Sequence, residues 1–305
     1  MALPFKIVYH DAYDLHLGAH VFPSQKYRLV RQALVEQGIA AAEDFLKPEA
    51  ASDADVLRVH TNEYVGKLLS GNLNQLELMR LEIPYSKELI RAVWLAAGGS
   101  TLAGRRALED SFAVNLGGGF HHAFADHGEG FCVIHDVAIA IRRLQADGAI
   151  RHVMVVDTDV HQGNGTAAIF ADDETVFTLS IHQENNYPVP KPPSDVDIDL
   201  PDGIGDEDYL ARLESHLLRA LEEFPPELIF YIAGADPYVE DQLGGLGLSM
   251  EGLRRRDHLV LEAAKTRGVP LAVTLAGGYA RRVQDTVQIH VNTILAARDL
   301  ALGGP

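Results

Sequence analysis

Short apolar runs, most of them rich in β-branched residues, recur along the chain, separated by longer stretches in which apolar positions return every three or four residues. The runs 6–9 (KIVY), 56–59 (VLRV), 112–116 (FAVNL), 153–156 (VMVV), 175–181 (TVFTLSI), 228–233 (LIFYIA) and 270–275 (PLAVTL) read as strands, and the most apolar have the pattern of strands buried on both faces of a parallel sheet. Helical spacing covers 25–36 through Leu29, Ala33 and Val35 and ends at Gly38. Thr61 and Asn62 are placed to cap a helix reaching Leu69, and Ser86 opens another over 87–108. Helices are also predicted over 133–147, 206–224, 249–266 and 284–300. Residues 185–202 contain Pro188, Pro190, Pro192, Pro193 and Pro201, and the spacing predicts a loop without regular structure.

Strand and helix alternating in this way imply an α/β fold in three layers, a parallel sheet with helices on both faces. A closed eight-stranded barrel has the same alternation, but the long segment 62–111 and the proline-rich loop fit an elaborated open sheet better. No repeat or linker divides the 305 residues, so a single domain over 1–305 is expected.

Composition narrows the setting. Acidic residues outnumber basic ones by 43 to 26, a formal charge of −17, which argues against a nucleic-acid surface and permits cationic substrates. The single cysteine, Cys132, allows no intramolecular disulfide and fits a reducing cytoplasm. The first residues lack a charged segment leading into a long apolar one, and no run approaches the length of a membrane span, so a cytoplasmic protein is expected.

The polar residues that carry chemistry fall at the ends of the predicted strands. The segment 151–165 (RHVMVVDTDVHQGNG) passes from strand into Asp157, Asp159 and His161, which share one side if the chain stays extended. FAVNL runs into Gly117, Gly118, Gly119 and then His121 and His122; TVFTLSI ends at His182, LIFYIA at Asp236, and PLAVTL at Gly277, Gly278 and Tyr279. Parallel α/β proteins build their sites at the carboxyl ends of their strands. Asp159, His161 and Asp236 have the donor types for a zinc or iron(II) ion with an open position for water. Two imidazoles suit proton transfer near neutrality, and a tyrosine on a glycine turn suits donation to an oxyanion. No GxSxG is present, and the glycines lack the spacing of a nucleotide loop.

The motifs GGGFHHAFADHGEGFC, VVDTDVHQGNGTAAIF, LSIHQ, IAGADPY and LAGGY together resemble the histone deacetylase superfamily, in the family's order, and HQGNG with AGGY resembles its class IV branch and bacterial relatives. The resemblance implies an arginase/deacetylase-like fold, a largely parallel sheet of about eight strands, and a zinc-dependent deacetylase or deacylase. It implies zinc ligation by Asp159, His161 and Asp236, a catalytic pair His121 and His122, a carbonyl-polarising Tyr279, and Asp157 as partner of His121. It further implies a potassium site at Asp157 and Ser180, an acyl-lysine channel walled by Phe131, Tyr187 and Leu243, and a backbone acceptor at Gly130 for the substrate nitrogen. The implied substrates are an acylated lysine peptide or a small acylated amine such as an acetylpolyamine; a catalytically idle acyl-lysine binder is the reading from a different class. Asn164 stands where many members carry an aspartate partner for the second histidine, which predicts a lowered pKa for His122. The expected chemistry is attack of a cation-activated water, deprotonated by His122, on an amide carbonyl. The acyl chain, native metal, physiological substrate and oligomeric state are not encoded legibly.

Overall fold

The computed structural model describes residues 3–303. The strands β1 (Lys6–Val8), β2 (Phe45–Leu46), β3 (Phe112–Asn115), β4 (Val153–Asp157), β5 (Val176–Gln183), β6 (Val196–Leu200), β7 (Leu228–Ile232) and β8 (Leu271–Thr274) form one sheet in the order β2-β1-β3-β8-β7-β4-β5-β6. Every pairing is parallel, as the uninterrupted apolar runs require. Successive strand residues alternate between two apolar clusters. Met154 and Val156 of β4 join the one that takes in Val30, Leu213 and Leu253, whereas Val153 and Val155 join the one that takes in Ala107, Ile141 and Leu144. Both faces are therefore covered, and full burial of each such side chain contributes about 1.5–3 kcal/mol.

The covering helices are α1 (Lys26–Glu36), α2 (Asp53–Val56), α3 (Asn62–Ser70), α4 (Gln75–Leu81), α5 (Lys87–Asp110), α6 (Asp136–Ala146), α7 (Asn164–Phe170), α8 (Asp206–Glu223), α9 (Met250–Thr266) and α10 (Val283–Ala301). Side-chain oxygens satisfy first-turn amides where the sequence indicates: Thr61 accepts from Tyr64 N, Ser86 from Leu89 N and Ser249 from Gly252 N. No helix among the described residues is long and apolar enough to cross a membrane.

Two expectations are corrected. Residues 56–59 are not a strand. Ser52 caps the single turn α2 by accepting from Asp55 N, and Leu57 and Arg58 are exposed where a central strand would bury them. The segment 185–202 does contain regular structure, because Val196–Leu200 pairs with β5 as the edge strand β6. Its prolines flank the strand rather than interrupt it, and VDIDL alternates, with Ile198 and Leu200 buried. The helix expected from residue 133 begins at Asp136, with the His135 side chain accepting from Ala138 N. Strand β2 and helices α4 and α7 were not foreseen.

Arg256 of α9 is fully buried and donates to Asp257 Oδ1 through Nε and Nη2 (3.0 and 2.7 Å) and to Gly234 O through Nη1 (2.6 Å). Asp257 also accepts from the hydroxyls of Tyr231 and Thr293. This buried network ties α9 and α10 to the carboxyl end of β7.

Candidate active site

Parallel strands bring their carboxyl ends to one edge, and the chemistry gathers there. Strand β4 stops at Asp157, with Asp159 and His161 in the loop that follows; Asp236 lies beyond β7 and Tyr279 beyond β8. Ligand atoms of Asp159, His161 and Asp236 lie within 4.8 Å of one another, and all three residues are buried. Backbone amides aim the carboxylates: Gly277 N donates to Asp159 Oδ2 (2.9 Å), His161 N to Asp159 Oδ1 (3.0 Å) and Val160 N to Asp236 Oδ1 (2.9 Å). A Cβ at residue 277 would collide with both carboxylates, so glycine is required there.

Two features make this trio a candidate cation site. Asp236 Oδ2 is buried without a hydrogen-bond partner, and its neighbours within reach are an acceptor-rich set of carboxylate and imidazole atoms. Burial and the charge of Asp159 push Asp236 up to about 7. Burial opposes protonation of His161, yet Asp159 and Asp236 raise it to about 10. A divalent ion that prefers N and O donors fits this arrangement.

The imidazoles of His121 and His122 stand with centroids 4.0 Å apart. His121 Nδ1 lies 2.7 Å from Asp157 Oδ2. Burial works against its cation, but Asp157 and Asp159 raise it to about 9. His122 Nδ1 lies 2.7 Å from Asn164 Oδ1, which also accepts from Gly165 N (3.1 Å). Its pKa is held well below the usual value, with burial the largest cause and the imidazoles of His121 and His161 next; the Asn164 bond expected to set this direction acts against it. Ser180 is the register partner of Asp157 across β4 and β5, and its Oγ lies 2.9 Å from His182 Nδ1.

A channel of about 370 Å³ opens over these groups, with His122, His161 and Tyr279 at its floor and Gly130, Phe131, Tyr187 and Leu243 along its walls. Gly130 has φ +53°, and a Cβ there would lie 2.9 Å from the His122 ring. Phe131 is left-handed as well, with φ +67°. Gly130 N donates to Arg80 O (3.1 Å) and Phe131 N to Leu81 O (3.0 Å), so the unforeseen α4 holds this strained wall. Beside His121, His122 and Asp159 is a void of about 20 Å³, bounded by Phe22, Phe131, Gly277 and Tyr279.

His20, in the HVFP segment ahead of α1, lines the mouth with its ring 5.5 Å from that of Phe131, and Glu82 lines it too. Other participants escaped the sequence reading. Asp241 accepts from Tyr279 N (2.6 Å), Leu243 N (2.8 Å) and Gly244 N (3.1 Å), fixing the turn that presents Tyr279. Lys26 is fully buried, donates to Ala276 O (2.5 Å), and is lowered by burial to about 8. Glu129 accepts from Asn164 Nδ2 (2.6 Å) and from the Tyr187 hydroxyl (2.5 Å). The GEGFC motif contains Glu129, but only the fold reveals its partners.

Sheet order and layers define an arginase/deacetylase-like α/β fold. The crystal structure of an HDAC homolog complexed with SAHA matches with a TM-score of 0.83 over 99% of this chain and 84% of that one, at 24% identity, and the HDA15 HD domain with 0.79 over 98% and 88%, at 22%. The histone deacetylase domain model matches residues 20–294. Histone deacetylase 2 of Arabidopsis thaliana is 31% identical over 92% of this chain and 77% of its own, the histone deacetylase-like amidohydrolase of Pseudomonas aeruginosa 31% over 86% and 73%, and an uncharacterized protein of Picosynechococcus 41% over 97% and 99%. The chain belongs to the histone deacetylase superfamily.

Proposed function

We propose that this protein is a metal-dependent amide hydrolase that removes acyl groups from acyl-lysine side chains or related acylated amines. The observation that carries the reading is the buried Asp159, His161 and Asp236 trio, with its orphaned carboxylate oxygen, whose His161 lines a channel together with His122 and Tyr279. Zinc is the ion proposed, with iron(II) the alternative; in this site either supplies positive charge to polarise a carbonyl and acidify a water.

The chain's own groups do the rest. Phe131 and Tyr187 flank the alkyl stem, and the Gly130 carbonyl accepts the substrate N–H. The phenol of Tyr279 donates to the carbonyl oxygen as negative charge develops on it. His122, neutral because burial disfavours its cation, takes the proton from the attacking water through Nε2 and returns it to the departing amine. His121, held protonated by Asp157, supplies positive charge rather than a proton shuttle. Asp157 and Ser180 are the proposed residues of the potassium site, whose bound cation would brace the loop carrying Asp159. The void beside the His pair and Asp159 is about the size of one water, which favours short acyl groups.

A second reading keeps the same chemistry on a small acylated amine. Exposed Glu82 at the mouth favours a substrate bearing a further positive charge, such as an acetylpolyamine. Metal-stripped protein reconstituted with zinc or iron(II) and given acyl-lysine peptides from acetyl to myristoyl, together with an acetylated polyamine, separates these readings. Metal-dependent release falling with chain length is expected. Tight binding of one metal with no release from any of these substrates would discard the hydrolase reading.

A further inference from the structure

Asn164 poses a problem that an aspartate would not. Its amide has two nearly isosteric orientations, and they give His122 opposite instructions. With Oδ1 toward the ring, His122 Nδ1 donates its hydrogen and Nε2 keeps a lone pair for the substrate side. With the amide reversed, the NH₂ group faces Nδ1, which must then accept, and the hydrogen moves to Nε2, where it blocks base catalysis.

The far side of the amide meets Glu129. Asn164 Nδ2 lies 2.6 Å from Glu129 Oε1, and an ionised carboxylate offers acceptors only, so the reversed amide would bring two oxygens together there. The same Oε1 accepts from the Tyr187 hydroxyl at 2.5 Å, and His127 Nε2 lies 3.5 Å from Oε2. Burial opposes ionisation, but hydrogen bonds from His127, Tyr187 and Asn164 hold the Glu129 carboxyl below its usual range. Gly165 N, at 3.1 Å from Asn164 Oδ1, is the other donor that favours this orientation.

We propose that Glu129 is a positioning residue that fixes the Asn164 amide and thereby selects the Nδ1–H tautomer of His122. The relay Glu129, Asn164, His122 places the negative charge one residue further out than a directly paired aspartate would. Through Tyr187, whose ring meets His122 edge-on at 4.9 Å, the same carboxylate also sets one wall of the channel. The catalytic value of this arrangement rests on the proposed role of His122 as base; the tautomer itself does not.

The test reads both. Zinc-loaded protein labelled with ¹⁵N-histidine is compared with Glu129→Gln and with the swap variant Glu129→Gln/Asn164→Asp, with His122→Ala identifying the His122 signals. Wild type is expected to show a protonated Nδ1 and a bare Nε2 at His122. Glu129→Gln, able to present its own NH₂ to Asn164, is expected to shift His122 toward Nε2–H and to lower kcat at least tenfold with KM within about twofold. The swap variant, which has no reversible amide at 164, is expected to return the Nδ1–H tautomer and most of kcat. Retention of Nδ1–H in Glu129→Gln, or Nε2–H in the folded swap variant, would overturn the assignment. Absence of deacylation in wild type would defeat the hydrolase reading while leaving the tautomer result to stand or fall alone.

Discussion

Tyr279 sits where its main chain is pinned by Asp241 and its ring closes the channel floor. On the proposed mechanism Tyr279→Phe would remove one donor to the oxyanion and is expected to lower kcat by about 100- to 1000-fold with a smaller change in KM; equal losses in both would deny it that role. The acidities of the trio predict how metal binding responds to pH. Asp159 and Asp236 favour the protonated form of His161, and burial favours the protonated form of Asp236, so uptake of a cation by the trio should displace protons. Zinc affinity measured against a competing chelator should therefore rise with pH. A pH-independent affinity would place the ion elsewhere. At this scale Asp159, His161, Asp236 and the His pair were legible because each follows an apolar strand. Asp241, Glu129 and Lys26 were not, because their work is to accept or donate to groups brought in from distant segments, which leaves no local pattern.

Elements repeat that lesson. The central strands β3, β4, β7 and β8 were legible because burial on both faces demands continuous apolar runs. VLRV satisfied the same composition over four residues yet became a turn, since the Ser52 cap and its exposed middle outweigh β propensity. Edge strand β6 was hidden among prolines because one residue in two suffices to bury an edge strand's inner face. The charged pair in α9 was equally invisible, as RRRD resembles a solvated helix face. Arg256→Met should destabilise the protein by about 3–5 kcal/mol in chemical denaturation, because Asp257 is left buried without its cation. Replacing Arg255, which pairs with exposed Glu207, should leave stability nearly unchanged, because solvent screens that pair. Activity per folded molecule of Arg256→Met should also fall, since the guanidinium holds Gly234 O two residues from Asp236.

At the scale of the whole molecule, three layers of secondary structure support a site built mainly from loops at one edge of the sheet. Those loops carry two facing carboxylates, so occupation by a cation should stabilise the native state. At a free zinc concentration about 1,000 times the dissociation constant, the gain is about 4 kcal/mol, visible as a rise in Tm on titrating metal-free protein. An unchanged Tm in Asp236→Ala under the same titration would confirm that the rise comes from this site. Sheet order has a consequence for synthesis. Strand β7 lies directly beside β4, although Val160 and Asp236, joined by a hydrogen bond, are 76 residues apart in sequence. A nascent chain that has emerged only as far as α8 presents Asp159 and His161 without their third companion. Asp236 follows Val160 by 76 residues, so the proposed metal cage closes only once β7 has docked on β4, before β8 is laid down on its other side.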